Sequence, residues 1–283
     1  MKEARQVPLS PTMELLPERC TDLVNVYHVS FQNIRYGSRT FGILCMPKAP
    51  GKYPALLRVP GAGVRPYYGD VETASKGAIT LEISVHGIPV NLPQAIYDEL
   101  AQGALYNYQY QNDNSRDNIY YKRVFIGALR AVDFIASLPQ HDGKTIGVTG
   151  SSQGGALSIM TAALDKRITF YAAIHPAMCD HRAHLNQRAG GWPHYFRYFP
   201  NPSKERLQTA DYYDMVNFAR RITVPGWFSW GYNDDVCPPT STYATYNIIT
   251  APKELHPYLE TKHFWYEEQY AAWNQWLWKQ MGL

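Results

Sequence analysis

With 283 residues, 45% of them hydrophobic, the chain is long enough to bury a substantial core and suits a single large α/β domain spanning 1–283. Its 27 Lys+Arg against 24 Asp+Glu leave a formal charge of +3, too even to suggest a nucleic-acid partner, and no polybasic run points to a membrane surface. The N-terminal stretch has no apolar core of signal-peptide length and no later segment could span a bilayer, so the chain as given reads as soluble and cytoplasmic, or periplasmic or secreted where a signal has been trimmed.

Apolar, β-branched runs predict eight strands, near 26–31, 40–46, 55–59, 78–84, 145–149, 170–175, 226–230 and 254–259. The first two are separated by the short polar stretch Asn33 to Ser38, which is too short for a helix and makes 26–46 an antiparallel hairpin. Longer, helix-capable stretches separate the later strands, implying right-handed crossovers and a mostly parallel sheet flanked by helices. The clearest helix runs from Tyr120 to Ser137, with Val124, Ala128, Ala131 and Ile135 on one face before Pro139. A final helix, Glu267 to Lys279, places Tyr270, Trp273, Trp276 and Leu277 on its buried face. Two segments break the alternation, Gly87 to Asn118 and 176–213. The second is rich in aromatics, Trp192 and Tyr195 to Phe199 among them, and is expected as a cap inserted after the sixth strand. Its aromatic rings either meet a substrate, with Trp192 the candidate, or pack the cap itself.

The run Thr145 to Gly155 joins an apolar strand to Gly150-Ser151-Ser152-Gln153-Gly154 and then to a helix of small residues. A serine that must present its hydroxyl at the top of a sheet sits in a strained turn whose neighbours two positions away cannot carry bulk. Gly150 and Gly154 meet that demand, so Ser152 reads as the nucleophile of a serine hydrolase. The α/β-hydrolase fold delivers nucleophile, acid and histidine in that chain order, each after a strand. Asp234 follows the seventh predicted strand, with Asp235 as the alternative acid. His263 follows the eighth, whereas the rival His256 falls inside that strand. The backbone amides of Gln153 and of Ala62, in the glycine-flanked loop after the third strand, are the expected oxyanion donors. His86 and His175 end strands at the same sheet edge and are candidates for the pocket lining, with structural roles as the alternative.

No cofactor or metal is expected. Cys179, Asp180, His181 and His184 lie close in sequence but lack a further ligand set. The four cysteines are scattered without C-x-x-C spacing and read as free, packed thiols.

Tyr120 to Phe125, Arg130 to Asp133, Gly150 to Gly155, and Cys237-Pro238-Pro239 with Tyr246-Asn247 resemble the acetyl xylan esterase and cephalosporin C deacetylase family. The likeness runs from about Tyr53 onward. It implies Ser152 as nucleophile, Asp234, three residues before Cys237, as acid, His263 as base, and oxyanion amides at Ala62 and Gln153. It also implies removal of small acyl groups, chiefly acetyl, from hydroxyls of small carbohydrates without a cofactor, and leaves room for a homo-oligomer. Three positions depart from the family's pattern: His86-Gly87-Ile88 stands where Arg-Gly-Gln is usual, Phe264 where Glu follows the histidine, and Ala62 where Tyr is frequent. A general carboxylesterase or a prolyl oligopeptidase-type peptidase shares the same order of catalytic residues, but the peptidase's N-terminal propeller has no room before the third strand. A pseudo-hydrolase that only binds carbohydrate is the non-enzymatic alternative.

Overall fold

The computed structural model describes residues 2–283, with side chains from residue 4 onward. Nine strands form one sheet: β1 (Thr12–Leu15), β2 (Val24–Gln32), β3 (Arg39–Pro47), β4 (Tyr53–Arg58), β5 (Ile79–Ile83), β6 (His141–Ser151), β7 (Phe170–Ile174), β8 (Gly226–Gly231) and β9 (Lys253–Tyr258). Their spatial order is β1-β2-β3-β5-β4-β6-β7-β8-β9. The pairs involving β1, β2 and β3 are antiparallel, and every pair from β5-β4 to β8-β9 is parallel. This is the α/β-hydrolase arrangement the sequence predicts, with one correction. The sheet has nine strands, because β1 was not foreseen: it is a four-residue edge strand with every residue exposed, so it carries no alternation of apolar and polar positions.

The helix Tyr120–Ser137 has the expected bounds. Val124, Ala128, Ala131 and Ile135 are all at most 2% exposed, and burying a side chain the size of Val or Ile contributes about 1.5–3 kcal/mol. The helix stops because Pro139 disfavours helical backbone at Leu138, which is extended at φ −71°, ψ 129°. On the opposite face of the sheet, the helix Glu267–Met281 buries Trp273, Trp276 and Leu277 against Phe170, Ala172 and Trp227. Tyr270, expected on that face, is exposed and packs only edge-to-face on Trp273.

The two irregular segments grip each other. Tyr110 donates to the carbonyl of Pro193, Tyr195 to that of Gln109 and Tyr213 to that of Arg116, while Arg206 pairs with Asp113 at 2.8 Å. Tyr195 and Phe196 are buried there with Ala210, so these aromatics pack the inserted segment. Because β4, β6, β8 and β9 run parallel, the loops that leave their C-terminal ends emerge at one sheet edge.

Candidate active site

β6 ends at Ser151, and Ser152 adopts φ +60°, ψ −122° before the helix Gln153–Leu164 begins. A left-handed conformation at a non-glycine residue costs about 1–3 kcal/mol and persists only where its surroundings hold it. Here the Ser152 amide donates to the Ile174 carbonyl at 2.8 Å, and its own carbonyl accepts from Ala177 at 3.0 Å. A Cβ at Gly150 or Gly154 would overlap the Val59 carbonyl oxygen, so bulk at either position would push β4 away from the elbow.

His263 Nε2 lies 3.0 Å from Ser152 Oγ, and His263 Nδ1 lies 2.7 Å from Asp234 Oδ2. These contacts join residues on three separate loops into one chain of hydrogen bonds able to take a proton from the hydroxyl. Asp234 Oδ1 accepts from the amides of Val236 at 2.9 Å and Cys237 at 2.8 Å, which fixes the carboxylate plane. Burial pushes the Asp234 pKa up, but His175, His263 and the Cys237 amide outweigh it and hold the group well below the usual carboxylate range. Asp235 is exposed and takes no part in the chain. His256 lies on β9, stacked on Trp227 at 5.0 Å, with its Nε2 3.4 Å from Glu254.

Gln153, as the first helical residue, has no intrahelical acceptor for its N–H. The Ala62 amide likewise has no hydrogen-bond partner among the described residues, while Arg65 draws back the Ala62 carbonyl at 2.8 Å and the Gly61 carbonyl at 3.4 Å. The Gly61 backbone lies against the elbow: a Cβ built there would stand 3.9 Å from Ser152 Cβ. Two amides beside one serine hydroxyl can receive developing negative charge.

The Gln153 side chain is a feature that sequence reasoning missed. It is fully buried; its Oε1 accepts from Tyr108 at 2.8 Å and Tyr121 at 3.0 Å, and its Nε2 donates to the Pro60 carbonyl at 3.3 Å. One amide group thereby links the elbow, the loop after β4 and two tyrosines.

His86 and His175 take the structural alternative and do not line the pocket. His86 is 3% exposed and sits behind the loop after β4, with Nδ1 2.7 Å from the Tyr120 hydroxyl and Nε2 2.9 Å from the Gly63 carbonyl. Burial lowers its pKa to about 4, the Gly63 carbonyl only partly opposing the shift. His175 is 1% exposed at φ +44° and turns inward behind Asp234, with Nδ1 3.3 Å from Oδ2 but not aligned for a hydrogen bond. Trp192 lines a cavity of about 370 Å3 together with Ser152, Ala62, Arg65, His263 and Trp265. A larger cavity of about 800 Å3 lies between the β2-β3 hairpin loop and Tyr120 to Arg123, and it contains no nucleophile and base in contact.

His175, Asp234 and His263 bring potential ligand atoms within 4.8 Å of one another. The 2.7 Å contact between His263 and Asp234 is a hydrogen bond, tighter than the spacing of two ligands each about 2.0–2.2 Å from a zinc ion.

The family model described as Acetyl xylan esterase (AXE1) matches residues 1–281. The chain belongs to the acetyl xylan esterase family. It is 42% identical over 259 residues to the acetyl esterase Axe7A of Xylanibacter ruminicola, a match covering 90% of this chain and 59% of that protein. The chain thus spans about three-fifths of the length of that relative. Among solved structures, the acetyl xylan esterase from Paenibacillus sp. R4 superposes with a TM-score of 0.83 at 26% identity, covering 98% of this chain and 90% of the other. Acetyl xylan esterase 1 from Thermoanaerobacterium sp. JW/SL YS485 shares the fold, with a TM-score of 0.80 at 23% identity over 99% and 90% of the two chains. Membership fits the motifs at Gly150 to Gly155 and Cys237 to Pro239 that carry the resemblance. No helix among the described residues is long and apolar enough to cross a membrane.

Proposed function

We propose that the chain is a serine esterase that removes acetyl groups from acetylated carbohydrates through an acyl-enzyme. The observation that carries this reading is the imidazole of His263 held between Ser152 Oγ at 3.0 Å and Asp234 Oδ2 at 2.7 Å. Ser152 Oγ attacks the ester carbonyl while His263 Nε2 takes its proton, and Asp234 holds the tautomer and stabilises the imidazolium. The carbonyl oxygen, now negative, is met by the amides of Ala62 and Gln153. Collapse breaks the bond to the sugar oxygen, which leaves with the proton returned by His263. Water then repeats the sequence on the acetyl-serine and releases acetate.

The test is acetate release from acetylated xylo-oligosaccharides by the wild type and by Ser152→Ala. The variant is expected to fold normally and to lose roughly four to six orders of magnitude in turnover. On p-nitrophenyl esters, kcat/KM is expected to fall from acetyl to butyryl, since overpacking a small acyl site costs about 1–3 kcal/mol. Retained activity in Ser152→Ala would remove this nucleophile, and a maximum at six carbons or longer would favour a general carboxylesterase.

A further inference from the structure

Next to the cavity above Ser152 lies a second one of about 440 Å3, and Trp192 belongs to the walls of both. The second cavity is lined by Asn107, Gln109, Tyr110, Tyr198 and Phe199 besides Trp192 and its two following residues. Among the described residues, no Lys, Arg, Asp or Glu side chain lines it. Its one titratable imidazole, His194, is pushed by burial below its ordinary pKa, toward the neutral form.

The lining is organised rather than loose. Tyr110 packs edge-to-face on Tyr198 at 6.5 Å and on Phe199 at 5.6 Å. The Arg206 guanidinium covers Phe199 at 4.2 Å while pairing with Asp113 at 2.8 Å. Tyr198 leaves 58% of its surface in solvent. The Gln109 amide donates to Asn107 Oδ1 at 3.3 Å, which leaves the Asn107 amide group and the Gln109 oxygen available to a ligand. Trp192 is tied directly to the acid loop: its N–H donates to the Val236 carbonyl at 2.8 Å, and its own carbonyl accepts from Met178 at 2.7 Å. The second cavity therefore keeps a fixed position relative to Asp234 and, through it, to Ser152.

Aromatic faces with neighbouring carboxamides and no charged side chain in the lining match one ligand chemistry. A neutral pyranose presents an apolar C–H face to an aromatic ring and hydroxyls to amide donors and acceptors, whereas the two nearby cations, Arg206 and Arg197, stack on Phe199 and Tyr198 rather than line the cavity. We propose that this cavity is a subsite for a neutral sugar unit adjacent to the acetylated one, with Trp192 shared between the two positions. The inference rests on the deacetylase reading above and adds the length of glycan the site engages.

The experiment compares wild type with Tyr198→Ala and with the double variant Asn107→Ala/Gln109→Ala, all on exposed segments outside the Ser152 cavity. Two substrates are used: p-nitrophenyl acetate, which has no sugar to reach the second cavity, and acetylated xylotriose. The expected result is a loss of about 10- to 30-fold in kcat/KM on acetylated xylotriose, with p-nitrophenyl acetate held within about twofold. No loss on the trisaccharide, or equal losses on both substrates, would overturn the subsite. Titration of each protein with unacetylated xylotriose, followed by tryptophan fluorescence, separates this failure from failure of the deacetylase reading. Binding by wild type that weakens in the variants supports the subsite even if no acetate is released, and absence of binding by wild type refutes it.

Discussion

Replacing Gln153 by leucine keeps the side-chain volume and the backbone amide but removes three hydrogen bonds from a fully buried site. The Tyr121 hydroxyl, 3.0 Å from Gln153 Oε1, loses its acceptor inside a side chain with 0% exposure. Leaving such a group unpaired costs about 1–3 kcal/mol. Tyr108, 2.8 Å from the same oxygen and 5% exposed, loses its acceptor as well. The Pro60 carbonyl loses its donor but keeps a second lone pair for water. Gln153→Leu is therefore expected to lower the unfolding free energy by about 2–4 kcal/mol in urea titration, a large share of a stability of roughly 5–15 kcal/mol. The orphaned hydroxyl makes a specific further demand: in a Tyr121→Phe background the same substitution should cost about 1–2 kcal/mol less, because no donor is stranded. On activity, the Gln153 N–H remains in place, but the loop carrying Ala62 is no longer tied to the elbow. A shift of about 1 Å in one oxyanion donor supports a fall in kcat of about 10- to 100-fold on p-nitrophenyl acetate. A stability loss below about 0.5 kcal/mol, or additivity of the two substitutions, would refute this account of the buried amide.

Asp234→Asn is expected to lower kcat by about 10⁴ through the wrong imidazole tautomer, while the exposed Asp235→Asn stays within a few-fold in steady-state kinetics; the opposite ranking would move the acid by one residue. His86 gives a pH prediction. Its pKa near 4 in the folded protein lies below the ordinary 6.5, so the unfolded chain takes up the proton first. The stabilisation is complete above pH 6.5 and is lost as the pH falls toward 4; 2.5 units at about 1.36 kcal/mol per unit give roughly 3 kcal/mol. Urea titrations at pH 7 and pH 4 should show His86→Gln losing about that much less stability than wild type on acidification, and identical losses would contradict a neutral, buried His86.

How far the site was legible depends on what each residue is constrained by. Ser152 and His263 could be read because the proposed acyl transfer needs such side chains at the ends of particular strands, and a parallel sheet then brings the ends together without further information. Asp234 was less determined, because Asp235 satisfies the same chemical demand one residue later. The resemblance, which sets the acid three residues before Cys237, favoured Asp234, and the structure joins Asp234 to His263 while leaving Asp235 in solvent. Periodicity found seven strands with buried residues and β9, whose positions alternate between half-buried and exposed over most of its length, and lost β1, which is exposed throughout.

The supporting residues obey a different constraint. Gln153, His86 and His175 all follow or end a strand beside the chemistry, and a strand-end position says nothing about whether the side chain turns into the cavity or back into the core. That direction is fixed by groups remote in sequence: Tyr108 and Tyr121 for Gln153, Tyr120 and the Gly63 carbonyl for His86, and Asp234 with the φ of +44° for His175. Any hydrogen-bonding partner of suitable length could serve in those places, so no residue type is demanded and no local pattern announces it. His86 shows the consequence: its imidazole bridges the Tyr120 hydroxyl and the Gly63 carbonyl behind the loop bearing Ala62, a role that its place after a strand does not reveal. The position of the Ala62 amide therefore depends on a supporting contact that Ser152, Asp234 and His263 do not determine.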